Sequence, residues 1–156
     1  MSYWRLFYHI VWTTRNREPL IQAAFASDVH RVVAGKATQL GAVVHAVGGA
    51  DDHVHLAVSV PPSLALSEFI GQVKGNSSHF ANHELAMPQT FAWQAEYGVL
   101  SFDAKQLPRI VAYVRNQRMH HEQDTMIPAL ERSEGDSAAS RLPSGIRFGD
   151  DRAIIR

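Results

Sequence analysis

The densest chemistry in this chain is at Asp52-His53-Val54-His55. On a β-strand, residues two apart project to the same face, so both imidazoles point one way while Val54 and Leu56 point the other. Two imidazoles on one rigid strand face form half of a metal site. A chain with nine histidines readily produces a His-x-His triplet by chance, and two solvent-facing histidines on an open sheet are the competing reading. The second cluster is Tyr113-Val114-Arg115-Asn116-Gln117. On a helix, Tyr113 and Gln117 share a face one turn apart, and His120 and His121 follow on nearly the same side. A helical tyrosine is far more often packing than nucleophile. Glutamine alone is a poor ligand, but its amide oxygen suits a hard cation such as Mg²⁺ or Mn²⁺. Two imidazoles and one amide oxygen leave positions open for a phosphate oxygen, and such an ion would orient a phosphodiester for in-line attack. A phenol, with its usual pKa of about 10, needs that help, and the nearby cation Arg115 favours its ionised form. Attack by Tyr113 would leave a covalent phosphotyrosine and a free 3′ hydroxyl, and the retained ester would allow rejoining without ATP.

These groups need elements to carry them. Residues 3–14 alternate and are rich in aromatic and β-branched types, which predicts a strand, and Arg15-Asn16-Arg17-Glu18-Pro19 reads as a loop. From Gln22 to Leu40 the apolar positions Phe25, Val29, Val32, Val33 and Leu40 recur at helical spacing, with Gly41 as the stop. Residues 42–48 and 53–60 read as two more strands joined by Gly49-Ala50-Asp51-Asp52, and Pro61-Pro62 ends the second. A second helix runs to Glu84, with Ser63 or Ser67 able to cap it. Residues 91–102 form a fourth, broken strand with a turn near Tyr97-Gly98. A third helix begins between Asp103 and Pro108 and reaches Glu122, with the proline in its first turn. The order is a split βαβ pair, the ferredoxin-like (RRM-like) α+β pattern: an antiparallel sheet with helices on one face, here followed by a C-terminal helix carrying the tyrosine. That architecture hosts many functions, so the site must decide.

Length and composition set bounds. A chain of 156 residues fits one domain with a core of its own. We expect that domain over residues 1–132 and a flexible Ser-, Gly- and Asp-containing tail over 133–156. The absence of cysteine removes disulfides, thiolate metal sites and thiol nucleophiles, and fits a reducing cytoplasm. No segment resembles a signal peptide or a membrane span. Formal net charge is zero, which weighs against a nucleic-acid partner. A local basic patch suffices for a compact site, however, and part of the acidic charge gathers near the end, at Glu131, Glu134, Asp136, Asp150 and Asp151.

Five segments in order give the chain a family look: Tyr8-His9-Ile10-Val11-Trp12-Thr13-Thr14, Asp52-His53-Val54-His55-Leu56, Gln72-Val73-Lys74-Gly75-Asn76-Ser77-Ser78, Trp93-Gln94-Ala95-Glu96-Tyr97-Gly98, and Tyr113-Val114-Arg115-Asn116-Gln117-Arg118-Met119-His120-His121. Over residues 3–123 it resembles the single-tyrosine HUH transposases of small bacterial insertion sequences that move as single-stranded DNA, a group that includes the REP-associated tyrosine transposases. The resemblance implies His53 and His55 as metal ligands, Gln117 as the third ligand and Tyr113 as the nucleophile. It implies Mg²⁺ or Mn²⁺ as cofactor and single-stranded DNA with hairpins as substrate. It also implies a homodimer in which the histidine pair of one subunit meets the tyrosine helix of the other. Lys74, Ser77, Ser78, Arg15, Arg17 and Arg115 are the candidate DNA contacts.

Two other readings stand beside strand transfer. One is a non-catalytic or domesticated single-strand binder of the same fold, stacking bases on Trp4, Trp12 and Trp93. The other is a phosphoesterase using the same histidines to activate water. A protein–DNA adduct that survives denaturation belongs to strand transfer alone.

Overall fold

In the computed structural model, residues 1–134 are described. Strand β1 (Phe7–Thr13) leads through a 3-10 turn at Arg15–Arg17 into helix α1 (Ala23–Gln39). Strands β2 (Val43–Ala50) and β3 (His53–Ser59) form a hairpin, followed by α2 (Leu66–Glu84) and β4 (Gly98–Phe102). Then come α3 (Leu107–Arg115), α4 (Gln117–Glu122) and the single turn α5 (Pro128–Glu131). The sheet order is β2-β3-β1-β4 with every pairing antiparallel, the ferredoxin-like order expected.

The two faces of the sheet are covered differently. Ile10, Trp12, Val54, Leu56 and Val58 join α1 and α2 in the main core, through Val29, Val33, Phe69, Ile70 and Val73. Ala46 and Ala57 on the opposite face pack against Ile110, Tyr113, Val114 and Leu130. Strand β3 is therefore buried along its whole length. His53 and His55 are 2% and 0% exposed, which overturns the reading of two solvent-facing histidines on an open sheet.

Several local expectations shift. Strand β1 begins at Phe7 because Phe7 opposite Phe102 is its last pair, and Tyr3 has no strand to bond to and lies exposed. Strand β2 runs on through Gly49 and Ala50, which leaves a two-residue connection at Asp51 and Asp52. Neither Ser63 nor Ser67 caps α2, whose first residue follows Ala65 with no side-chain cap. The predicted third helix is broken at Asn116 into α3 and α4. Asparagine competes with the helical backbone for hydrogen bonds and so tolerates such a break. The stretch from residue 135 onward, most of the expected tail, lies outside the described residues. Among the described residues no helix is long and apolar enough to cross a membrane.

One row across the sheet governs how the second face closes. Gly48 pairs with His55, His55 with Val11, and Val11 with Gly98. Both ends of that row are glycine. A Cβ on Gly48 would lie 1.8 Å from the Val114 carbonyl oxygen, and one on Gly98 would lie 1.9 Å from that of Arg132. Helix α3 and the segment after α5 thus approach the sheet backbone on either side of His55, closer than any other residue permits. We expect Gly48→Ala to lift α3 and to lower stability by about 3 kcal/mol, or roughly 10 °C in Tm. Gly35→Ala in α1, where an added Cβ meets nothing within 4 Å, is expected to hold or raise Tm. A Gly48→Ala protein melting at the wild-type temperature by circular dichroism would disprove this docking.

Candidate active site

The histidine pair is held from behind. His53 Nδ1 is 2.7 Å from Asp52 Oδ1, and His55 Nδ1 is 2.7 Å from His9 Nε2. Each ring is thereby oriented through one nitrogen and presents its Nε2 forward, which is how second partners aim metal-binding imidazoles. The hydrogen bond from His53, together with Arg17, holds the Asp52 carboxyl below its usual range despite partial burial. Burial, then the neighbouring His55, pushes His9 down to about 3, so it is neutral. Burial also lowers His55 against the opposing pull of Glu131. Neutral imidazole is the form that binds metal.

The two Nε2 atoms converge with groups from the far end of the chain. His53 Nε2 lies 3.3 Å from Gln117 Oε1 and 3.6 Å from Glu131 Oε2, and His55 Nε2 is 3.2 Å from the same Glu131 oxygen. The Gln117 amide nitrogen donates to the Tyr113 carbonyl at 3.1 Å, which fixes the oxygen toward His53. His121 Nε2 approaches Glu131 Oε2 at 3.6 Å and has no hydrogen-bond partner. His53, His55, His121 and Glu131 place one ligand atom each within 4.8 Å of one another. This donor set, imidazoles with a carboxylate and an amide oxygen at hand, fits a divalent ion.

Tyr113 stands at the same point. Its ring meets His55 edge-on at 5.9 Å between centroids and stacks on His120 at 4.6 Å. Its hydroxyl donates to Glu131 Oε1 and accepts the Ile127 N–H at 2.9 Å. Burial and the Glu131 carboxylate push the phenol up to about 12, so it is held protonated. Burial of Glu131 works to raise its carboxyl, but the hydrogen bond and charge of His55, with the Tyr113 hydroxyl and His53, outweigh it and hold it at about 2. The four central residues expected from the sequence, His53, His55, Gln117 and Tyr113, are thus brought together within one chain. Both halves of the site are described here from one copy of the chain.

Sequence reasoning missed Glu131 and His9. Glu131 was grouped with acidic residues of a tail, whereas α5 carries it into the centre. His9 lay in a recognised segment, and strand alternation could have placed it on one face with Val11 and Thr13, but only the β1–β3 register sets it beside His55.

The candidate DNA contacts divide. Lys74 is buried, and its Nζ donates to the carbonyls of Gln94, Ala95 and Glu96 at 2.5, 3.2 and 3.2 Å. Ser77 is also buried, donating to the Val73 carbonyl at 2.8 Å and accepting from Trp93 Nε1 at 2.9 Å. These residues staple the loop after Phe91 onto α2, so in this conformation their polar groups are spent internally. Arg15, Lys74 and Ser78 line one cavity of about 470 Å³ with Trp93 and Tyr97. Arg17 pairs with Asp52 at 3.4 Å on the surface. Arg115 is exposed and lines a different cavity, beside β2. Trp12, 0% exposed, is closed to base stacking, and Trp93, 9% exposed, packs edge-on against it and shows only a small part of its surface to the cavity of about 470 Å³.

Comparisons with known proteins bear on the family and the fold. The family model described as "Transposase IS200 like" matches residues 2–117. The ISDra2 transposase TnpA of Deinococcus radiodurans is 26% identical over 121 residues, covering 73% of this chain and 85% of that protein. A crystal structure of a transposase from the same organism superposes with a TM-score of 0.58 at 26% identity, covering 75% of this chain and 95% of that one. A REP-associated tyrosine transposase, solved bound to a REP hairpin, gives a TM-score of 0.58 at 15% identity over 92% of this chain and 100% of its own, a likeness of fold. The chain belongs to the IS200-like transposase family.

Proposed function

We propose that this chain cleaves and rejoins single-stranded DNA through a covalent 5′-phosphotyrosine on Tyr113, with a divalent ion, Mg²⁺ or Mn²⁺, held by His53, His55 and Gln117. The observation that carries the reading is the convergence of the Tyr113 hydroxyl and both histidine Nε2 atoms on the single carboxylate of Glu131. The Tyr113 hydroxyl and His55 hydrogen-bond to that carboxylate, and His53 Nε2 lies 3.6 Å from it. When bound, the ion supplies charge neutralisation to the scissile phosphate.

The chain's own residues do the rest. Asp52 and His9 hold the imidazoles in the ligating orientation. Ile127 N–H and Glu131 fix the phenolic oxygen and its proton. In the step itself Tyr113 gives its proton to Glu131 as its oxygen bonds to phosphorus, the bond from phosphorus to the 3′ oxygen breaks, and that oxygen takes the proton back from Glu131 and leaves as a 3′ hydroxyl. The reverse attack by a 3′ hydroxyl rejoins strands. That a solved relative is bound to a REP hairpin supports hairpin-bearing single strands as the substrate. The test is incubation with labelled hairpin-bearing single strands and Mg²⁺ or Mn²⁺. A metal-dependent adduct that survives denaturing electrophoresis is expected, and cleavage without an adduct would point to hydrolysis instead.

Since one copy supplies every group named, we further propose that the site is composed in cis, whether or not the protein is a homodimer. Mixing inactive Tyr113→Phe and His53→Ala proteins is then expected to restore no adduct. Recovery in verified heterodimers would establish the exchanged arrangement.

A further inference from the structure

Beside the histidine centre lies a second concavity, of about 380 Å³, lined by Ser27 and His30 of α1, Gly49 of β2, and Arg115, Arg118 and Met119. That volume lies in the range of small-ligand sites, roughly 300–1,000 Å³. Its position is set by the same elements as the centre. Arg115 follows Tyr113 by two residues in α3, so it leaves the helix on a different face, turned toward α1 and the β2 edge. Gly49 pairs with Val54, the residue between the two histidines. Its charge is of one sign, since no acidic side chain lines it. Arg118 is braced by Asp51 Oδ1 at 2.7 Å and by the Ile21 carbonyl at 3.1 Å. Among the described residues Arg115 forms no ion pair, and it stands exposed at the rim. His30 Nε2 is buried without a hydrogen-bond partner, and Met119 is exposed, offering an apolar surface beside the charges.

We propose that this concavity is a cradle for one nucleotide of the single strand, adjoining the nucleotide that is cut. Arg115 pairs with its backbone phosphate, the Ser27 hydroxyl is a second donor, and the base or sugar rests on Met119. The proposal rests on the single-stranded DNA reading above. It answers a problem the composition poses. A chain with no net charge must concentrate its phosphate contacts, and an unpaired arginine flanked by a braced one does so.

Fluorescence anisotropy of labelled oligothymidylate across a salt series tests it, because a contact to phosphate releases counterions and contributes about 0.7 to the log–log salt slope for single strands. Arg115→Gln is expected to weaken binding several-fold and to lower the slope by about 0.7. Ser27→Glu, which places a carboxylate in the cavity from an exposed position of α1, is expected to weaken binding as well. Lys105→Gln is the control, about 15 Å away along the helical segment from Arg115, and should leave affinity and slope unchanged. Wild-type affinity and slope in both cavity variants would overturn the cradle, as would an equal loss in the Lys105 variant. Wild-type protein showing no salt-dependent binding at all would overturn the single-stranded DNA reading itself, and the cradle with it.

Discussion

Tyr113→Phe is expected to eliminate the protein–DNA adduct, on the order of a thousandfold or more in rate, while the fold and single-strand binding persist. The substitution removes one oxygen and keeps the ring against His55 and His120. It is not silent for stability. The Ile127 N–H loses its acceptor and Glu131 loses a donor, which together cost about 1–3 kcal/mol. Denaturing electrophoresis reads the adduct, and urea unfolding reads the stability. A Phe variant that still forms the adduct would move the nucleophile elsewhere, with Tyr97 the next to examine.

The second large effect belongs to the histidines. His53→Ala or His55→Ala is expected to abolish cleavage and to weaken Mn²⁺ binding by about 100-fold or more, because two imidazoles dominate the affinity of such a site for a first-row metal. Gln117→Ala is expected to be milder, since water can replace an amide oxygen. His9→Ala should fall between, at about 10-fold, by freeing the far nitrogen of His55. Calorimetric titration of Mn²⁺ into each variant orders them. Unchanged affinity in both histidine variants would remove the metal from the proposal.

The parts of this molecule that could be read from sequence are those with a local signature. The alternation through His53 to Val60, the helical spacing around Val29 and Val33, and Pro108 in a first turn each fix an element without knowledge of the rest. The order of those elements then gave the sheet, and two-residue strand spacing put His53 and His55 on one face. The parts that were not readable depend on register and long-range docking. No local pattern says that β1 slides so that His9 stands next to His55, separated by 46 residues. None says that α3 is drawn onto Gly48, or that Glu131 returns to a tyrosine 18 positions earlier. A carboxylate in a polar stretch reads as solvated surface, and burial beside imidazoles is what distinguishes this one. Lys74 and Ser77 show the reverse case. As basic and polar groups of a segment shared with the family they were candidate DNA contacts, and their hydrogen bonds close a loop onto α2.

The long sequence separations within the centre also order events in time. A chain emerging from a ribosome presents β1, α1 and the β2–β3 hairpin first, and these carry His9, His53 and His55. The tyrosine follows only after α2 and β4, and Glu131 later still. At typical synthesis rates of roughly 5–20 residues per second, His53 and His55 precede Tyr113 by several seconds. Since Gln117 is 64 positions from His53, the centre cannot close until the sheet is already built and its second face is ready to receive α3. The centre is whole only once Glu131 has been made and α5 has brought it to Tyr113.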